Sequence, residues 1–474
     1  MPSKGLSSEK TKPAKANRRV VWRIFLGYTA ALLFLLVDPS MSQSPTVPNN
    51  KPFLNPSGFA ATFSTNGSID LTNEFFQDLG TNGRRCVTCH QPSQGWTVTP
   101  EGLQERFAKK GGTDPIFRTN DGSNSPEADV STIQARRAAY NMLLTKALIR
   151  VGIGIPANAE FELSAVDDPY DFASASELSL FRRPLPATNL KFLSAVMWDG
   201  RETVPGQTIH FDLSNQANNA TLGHAQGANP LTDQQREDIV NFETALFTAQ
   251  THDRSAGPLT ARGANGGPAN LSNQDFYIGI NDLLGDSLTN EPFNPVVFTI
   301  YDAWKGLRGG GTNKARAAVA RGEELFNTKL IQITGVSGIN DEPAFGNPAM
   351  VNGTCTTCHD TPNSGNHSVS APLNIGIADA SRRTPDMPLY TLQNKTTGKM
   401  VQTTDPGRAL ITGKWKDIGR FKGPILRGLA ARAPYFHNGS AKDFQAVIDF
   451  YDQRFGIGFT DQEKADLIAF LRTL

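Results

Sequence analysis

The chain has 474 residues, 46 basic against 45 acidic, a formal net charge of +1 and 38% hydrophobic residues. That length allows two or three ordinary domains, and the balanced charge gives no electrostatic case for binding nucleic acid. Four cysteines stand as two close pairs, Cys86/Cys89 and Cys355/Cys358, an arrangement that argues against a framework of structural disulfides.

In chain order, the first segment carries Lys4, Lys10, Lys12, Lys15, Arg18, Arg19 and Arg23 ahead of the apolar run Ile24–Val37, "IFLGYTAALLFLLV", and then "DPSMSQ". A basic region, a short apolar core and small residues read as an export signal over 1–42. The run is shorter than the ~20 residues of a membrane span; left uncleaved, residues 24–37 would serve as an anchor. Either outcome puts the rest of the chain outside the cytoplasm. Residues 1–42 hold seven basic and two acidic groups, so their removal takes the net charge from +1 to −4.

"PTVPNNKPFLNPSG" reads as part of a linker over 43–75. Next comes "RRCVTCHQ", and far downstream "GTCTTCHD". In a Cys-x-x-Cys-His motif the two thiols can form thioethers to the two vinyl groups of one porphyrin, and the next residue, His90 or His359, then reaches the iron. A zinc site would need further Cys or His nearby, yet His210, His224, His252, His367 and His437 form no cluster in the sequence. A thioredoxin-like pair would want a βαβ pattern, which is absent here. The motifs therefore imply two covalently bound c-type haems.

Two segments after these motifs match each other: "TDQQREDIVNFETAL" (Thr232 to Leu246) and "TDQEKADLIAFLRTL" (Thr460 to Leu474). Each opens with a capping box, Thr232 with Gln235 and Thr460 with Glu463, and continues with an apolar helical stripe. "MWDGR" (Met197 to Arg201) and "FHNGS" (Phe436 to Ser440) form a second matched pair. Together they predict a duplicated haem unit, with domains over 76–250 and 312–474 joined by the segment 251–311. "NKARAAVARGEELFNTK" (Asn313 to Lys329) predicts a helix packing on the second haem. The first domain is longer between motif and closing helix, and its Gly-, Pro- and Asp-rich insertion predicts loops and a hairpin over the first haem.

Two CxxCH motifs in an exported chain, with "MWDGR" and "LRGLAARAPYFHNGS" (Leu426 to Ser440), resemble the bacterial di-haem cytochrome c peroxidase and MauG family. The resemblance implies an all-α fold of two cytochrome c-like domains, the insertion lying outside the pattern. It implies an oxidoreductase of the periplasm that uses hydrogen peroxide as electron acceptor. The first haem would react with peroxide, the second would transfer electrons, and Trp198 would relay between them. Partners would be peroxide and either a periplasmic electron donor, a small cytochrome or cupredoxin, or an oxidisable protein substrate; homodimers are common in the family. The alternative function is a di-haem electron carrier without peroxidase activity.

Family spacing also bears on the axial ligands. Fourteen positions after His437, where classical members carry a ligating methionine, this chain has Tyr451, as in the MauG-like branch. Met387 and Met400 are its rivals, and a core position is the plain alternative, since Phe444, Val447, Ile448 and Tyr451 form one helical stripe. At the first haem the family's glutamine and glutamate counts fall on Thr208 and Asn218. A short shift makes Gln216 the counterpart of the glutamine, and no glutamate follows. His224, eight residues before its closing helix as Tyr451 is nine before its own, is a candidate distal acid–base group or displaceable sixth ligand; His210 is a weaker one. Calcium would take the carbonyls of Arg432 and Pro434, but "FRRPLPATN" stands where the family has a ligating asparagine, which argues against it.

Overall fold

In the computed structural model, which describes residues 45–474, the first elements are strands. The export-signal reading of residues 1–42 lies outside the described residues. Pro52–Asn55 pairs antiparallel with Gly58–Ser64, which pairs on its other side with Leu246–Asp253, and Gly257–Pro258 closes this four-stranded sheet. Ala60 and Ala61 are fully buried within it, and the Thr62 and Thr248 hydroxyls meet at 2.8 Å. The stretch expected as a linker over 43–75 thus supplies strands to a sheet.

The insertion contributes two more pairings. Ile149–Ile153 runs antiparallel to Leu178–Arg182, and Phe161–Asp167 joins Leu389–Asn394 and Met400–Thr403 in a three-stranded sheet. The last of these sheets links the insertion to the second half of the chain. Helix makes up 31% and strand 17%, so the expectation of an all-α fold is wrong and the protein is mixed α/β. Its physical reason is the separation of the partners. Thr62 and Thr248 stand 186 residues apart, so the central pairing has no local signal, and the flanking partners Pro52–Asn55 and Gly257–Pro258 are too short to declare a period of their own.

Five helices position the rest. α1 (Ile209–Gly223) and α2 (Asp233–Thr244) lie in the first half; α3 (Thr312–Thr328), α4 (Phe444–Phe455) and α5 (Asp461–Leu471) lie in the second. α2 and α5 begin with the capping boxes read from the sequence: the Thr232 and Thr460 hydroxyls each accept from the amide three residues on, at 3.2 Å. α3 crosses α5 at Gly322, where a Cβ would lie 2.0 Å from the Asp466 carbonyl oxygen; only glycine permits that approach. Around the crossing a core of Phe298, Tyr301, Trp304, Val319, Phe326 and Phe470 excludes water. Among the described residues no helix is long and apolar enough to cross a membrane.

Candidate functional site

Each CxxCH motif opens onto its own cavity. The first is lined by Cys86, Cys89 and His90; the second by Cys355, Cys358 and His359. Local geometry repeats at the two motifs. The Arg85 amide donates to Thr88 Oγ1 at 2.9 Å and the Thr354 amide to Thr357 Oγ1 at 3.0 Å. His90 Nδ1 meets the Trp96 carbonyl at 3.0 Å, and His359 Nδ1 the Gly365 carbonyl at 2.6 Å, six residues ahead in both cases. A carbonyl on Nδ1 sets the ring's orientation and leaves Nε2 available to a metal.

All four cysteines are free. Burial pushes the Cys86, Cys355 and Cys358 thiols up to about 12 and Cys89 to about 11, the reverse of the depressed values that mark redox-active CxxC pairs. Paired free thiols, an oriented histidine and a large, mainly apolar cavity fit a c-type haem at each motif.

Two helices bring the remaining candidates to these cavities. α1 presents Leu213, Gln216, Ala217, Ala220 and Thr221 to the first, ending in His224 at its C-terminus. His224 Nδ1 lies 2.5 Å from Asp121 Oδ2, and Asp121 Oδ1 lies 2.5 Å from the Arg84 guanidinium. Burial works against the Asp121 carboxylate, but the hydrogen bond and charge of His224 and the charge of Arg84 hold its pKa below the ordinary carboxylate value. Asp121 comes from the insertion, whose part in the first cavity is thereby explained. Gln216 lines the same cavity, and its side chain makes no hydrogen bond within the described residues.

α4 presents Phe444, Val447, Ile448, Tyr451 and Phe455 to the second cavity. Tyr451 packs against Phe436, Phe450 and Phe455. Burial first, then Cys358 and Cys355, pushes its phenol above the usual range. Its methionine rivals lie elsewhere: Met387 packs with Met142, Leu148 and Phe181, and Met400 is 62% exposed.

Trp198 lines both cavities. Its Nε1 donates to the Arg183 carbonyl at 2.8 Å, and its ring meets His437 edge-on at 6.2 Å. The matched residues of "MWDGR" and "FHNGS" therefore touch. Asp199 of the first motif accepts from Arg182, which also bonds Asp405 through Nε at 2.7 Å. His437 is buried and stacked on Phe421 at 3.9 Å.

Other sequence candidates lie away from the chemistry. Thr208 caps α1, Asn218 accepts from the Leu231 amide at 3.0 Å, and His210 is a surface residue near Glu237. At Arg432, one of the two carbonyls the resemblance would give to calcium, the Arg183 guanidinium already donates, Nη2 at 2.9 Å, and its charge opposes a cation there. The sequence reading missed Asp121, Arg183, Lys422, Arg427 and Glu243. The last is buried beside Cys86, and burial pushes it up to about 8. Matching the two closing helices could have exposed it, because Glu243 occupies the place of Leu471.

No family model matches the chain. Over 148 residues it is 31% identical to cytochrome-c peroxidase IdrP1 of Pseudomonas sp. (strain SCT), covering 27% of this chain and 38% of that protein. Over 132 residues it is 31% identical to cytochrome-c peroxidase IdrP2 of Denitromonas iodatirespirans, covering 26% and 36%. The chain thus spans little more than a third of the length of these curated relatives. A solved structure, described as a MauG-like protein associated with microbial copper homeostasis, is 18% identical, with 64% of this chain and 76% of that chain covered and a TM-score of 0.33, a likeness too loose to carry weight. The relatives named cytochrome-c peroxidase bear out the resemblance to the di-haem cytochrome c peroxidase and MauG family that the CxxCH, "MWDGR" and "FHNGS" segments carry.

Proposed function

We propose that the protein is a periplasmic di-haem c oxidoreductase that takes hydrogen peroxide as electron acceptor, on the MauG-like side of its family. The observation that carries this reading is the asymmetry of the two cavities. One has a histidine held by a buried carboxylate, with Gln216 on the same helix face; the other has a tyrosine among aromatic rings. When bound, a c-type haem supplies an iron that exchanges electrons and can bind peroxide.

The chain's residues supply the rest. His90 and His359, each oriented by a backbone carbonyl, would hold the two irons. His224, with Nδ1 on Asp121, is left with Nε2 to take a proton from one peroxide oxygen and return it to the other. Gln216 can donate a hydrogen bond to the charge that separates. Tyr451, on the wall of the second cavity, would hold that haem's iron through its phenol oxygen, and Trp198, lining both cavities, would relay electrons.

The test is the addition of hydrogen peroxide to purified, haem-loaded protein, read by absorption and electron paramagnetic resonance. The spectrum of the first haem should change within the mixing time of a rapid-mixing experiment. The alternative, a di-haem electron carrier, places His224 permanently on the first iron. Spectra that stay six-coordinate, low-spin and unchanged by peroxide would establish that carrier instead.

A further inference from the structure

Between the cavities lies a group of four cations. Arg183, Lys422 and Arg432 line both cavities and Arg427 lines the first. Arg183 and Arg427 are 5% and 2% exposed, while Lys422 and Arg432 are half-buried. None of the four forms an ion pair among the described residues. Their hydrogen bonds go to carbonyls: Arg183 to Lys146 and Arg432, Lys422 to Ala195, Arg427 to Asn363, and Arg432 to Ile425 and Arg427. Arg427 Nε and Nη2 and Arg432 Nε are buried with no hydrogen-bond partner among the described residues. The neighbouring Arg182 shows the contrast, sitting between Asp199 and Asp405.

A buried charge without a counter-ion is costly, and a guanidinium left with unbonded nitrogens is the exception in folded proteins. Burial pushes Lys422 down to about 7, Arg183 to about 9, and Arg427 and Arg432 to about 10. Each would return toward its ordinary value beside an anion. Haem brings such anions, since every haem carries two propionate carboxylates on one edge, and the planar guanidinium fork matches a carboxylate in both shape and charge. Arg183 adds a second element. Its guanidinium binds the Arg432 carbonyl, one of the two carbonyls the family resemblance would assign to calcium.

We infer that Arg183, Lys422, Arg427 and Arg432 bind the propionates of the two haems, and that these fixed cations make the di-haem centre independent of calcium. The inference rests on haem filling both cavities and not on peroxide chemistry.

The experiment uses the full haem-loaded protein with Lys422→Gln and Arg427→Gln, which leave the Arg183–Arg432 contact in place. A pyridine haemochrome assay first counts haem. Fewer than two per chain would overturn the di-haem reading and this inference together. With two present, resonance Raman should show shifted propionate bending bands in each variant, and the midpoint potential of at least one haem should fall, because a lost positive charge favours ferric iron. Arg427→Lys should restore part of both effects. Bands and potentials identical to those of the unaltered protein in both variants would overturn the propionate assignment alone. Elemental analysis of the unaltered protein should find substoichiometric calcium, with spectra indifferent to EGTA. One calcium per chain whose removal changes the spectra would overturn the claim of calcium independence, whether or not the variants mature.

Discussion

The direction in which the first cavity can move a proton is set by Asp121. Its Oδ2 holds His224 Nδ1 at 2.5 Å while Arg84 neutralises Oδ1, so the imidazole is fixed in one tautomer with Nε2 free. Replacing His224 by Ala should slow the reaction with peroxide by roughly 10²–10⁴-fold, the worth of a positioned acid–base group. Asp121→Asn keeps the size of the side chain but loses its charge, and should cost roughly 10–100-fold. Stopped-flow traces of the first haem check both; an Asp121→Asn rate equal to that of the unaltered protein would leave Asp121 a purely architectural residue. Tyr451 offers the matching test in the second cavity. Its phenol is held protonated by burial, so only a metal ion would draw off the proton. Tyr451→Phe keeps the ring packing against Phe436 and Phe455 and removes only the oxygen. The second haem's spectrum should change, the first haem's should not, and stability should hardly move. Tyr451→Met should raise the midpoint potential of that haem, since a phenolate favours ferric iron more than a thioether does. Unaltered spectra in both variants would assign the ligand elsewhere. Tyr451 was singled out by the family spacing from His437, since its stripe on α4 suits a core position equally well; Asp121 was not, because a lone acid in a loop has no spacing to betray the histidine 103 residues away.

Among the elements, the strand Leu178–Arg182 is tied to the "MWDGR" turn by one buried network. Arg182, 2% exposed, bonds Asp199 and Asp405, and Arg201 reaches Asp199 at 3.2 Å. Burial would raise the Asp199 carboxyl, but the charges of Arg182 and Arg201 win and hold it at about 2. Its folded pKa therefore lies below the unfolded value of about 3.9. The stabilisation is present above pH ~4 and is lost as pH falls through ~2. Asp199→Asn should destabilise the protein by roughly 3–5 kcal/mol at neutral pH, the usual cost of breaking a buried pair. It should also flatten the fall in melting temperature between pH 4 and 2, which thermal melts across that range would show; equal slopes would mean that other carboxylates govern acid unfolding. The same scale shows which elements announced themselves. α2 and α5 were readable because capping boxes and apolar stripes are local signals. α1 was not, since beyond Leu213 its cavity face is made of Gln216, Ala217, Ala220 and Thr221, too small and polar to show a hydrophobic period. Beyond the hairpin expected in the insertion, the strands were missed: Leu389–Asn394 alternates cleanly in burial and pairs locally with Met400–Thr403, but its other partner at Phe161–Asp167 lies in another part of the chain.

At the scale of the whole molecule, the cavity at each CxxCH motif is walled by both halves of the chain. The first takes Lys422, Pro424, Ile425 and Arg427 from the second half; the second takes Thr97, Arg183, Pro184 and Trp198 from the first. The C-terminal Leu474, 1% exposed, accepts from the Gln250 amide at 3.1 Å and the Gly428 amide at 2.9 Å, so the end of the chain is pinned to strand and loop alike. The two CxxCH motifs and the repeated closing helices made the duplication visible in the sequence. Sharing of walls was not visible, because it depends on contacts between segments that no local pattern connects. It has a thermodynamic consequence. If each cavity needs residues from both halves, neither half can lose its structure without opening the other's haem site, and unfolding becomes a single cooperative event. Guanidinium titration of the haem-loaded protein should give coincident transitions from far-ultraviolet circular dichroism, tryptophan fluorescence and the absorption of each haem, with one midpoint for all four. Trp198→Leu, which removes a side chain common to both cavities, should lower all four midpoints together. Two separated transitions, with one haem retaining its native spectrum after the other has lost its own, would show instead that the halves are independent domains and that the shared wall is an interface between them.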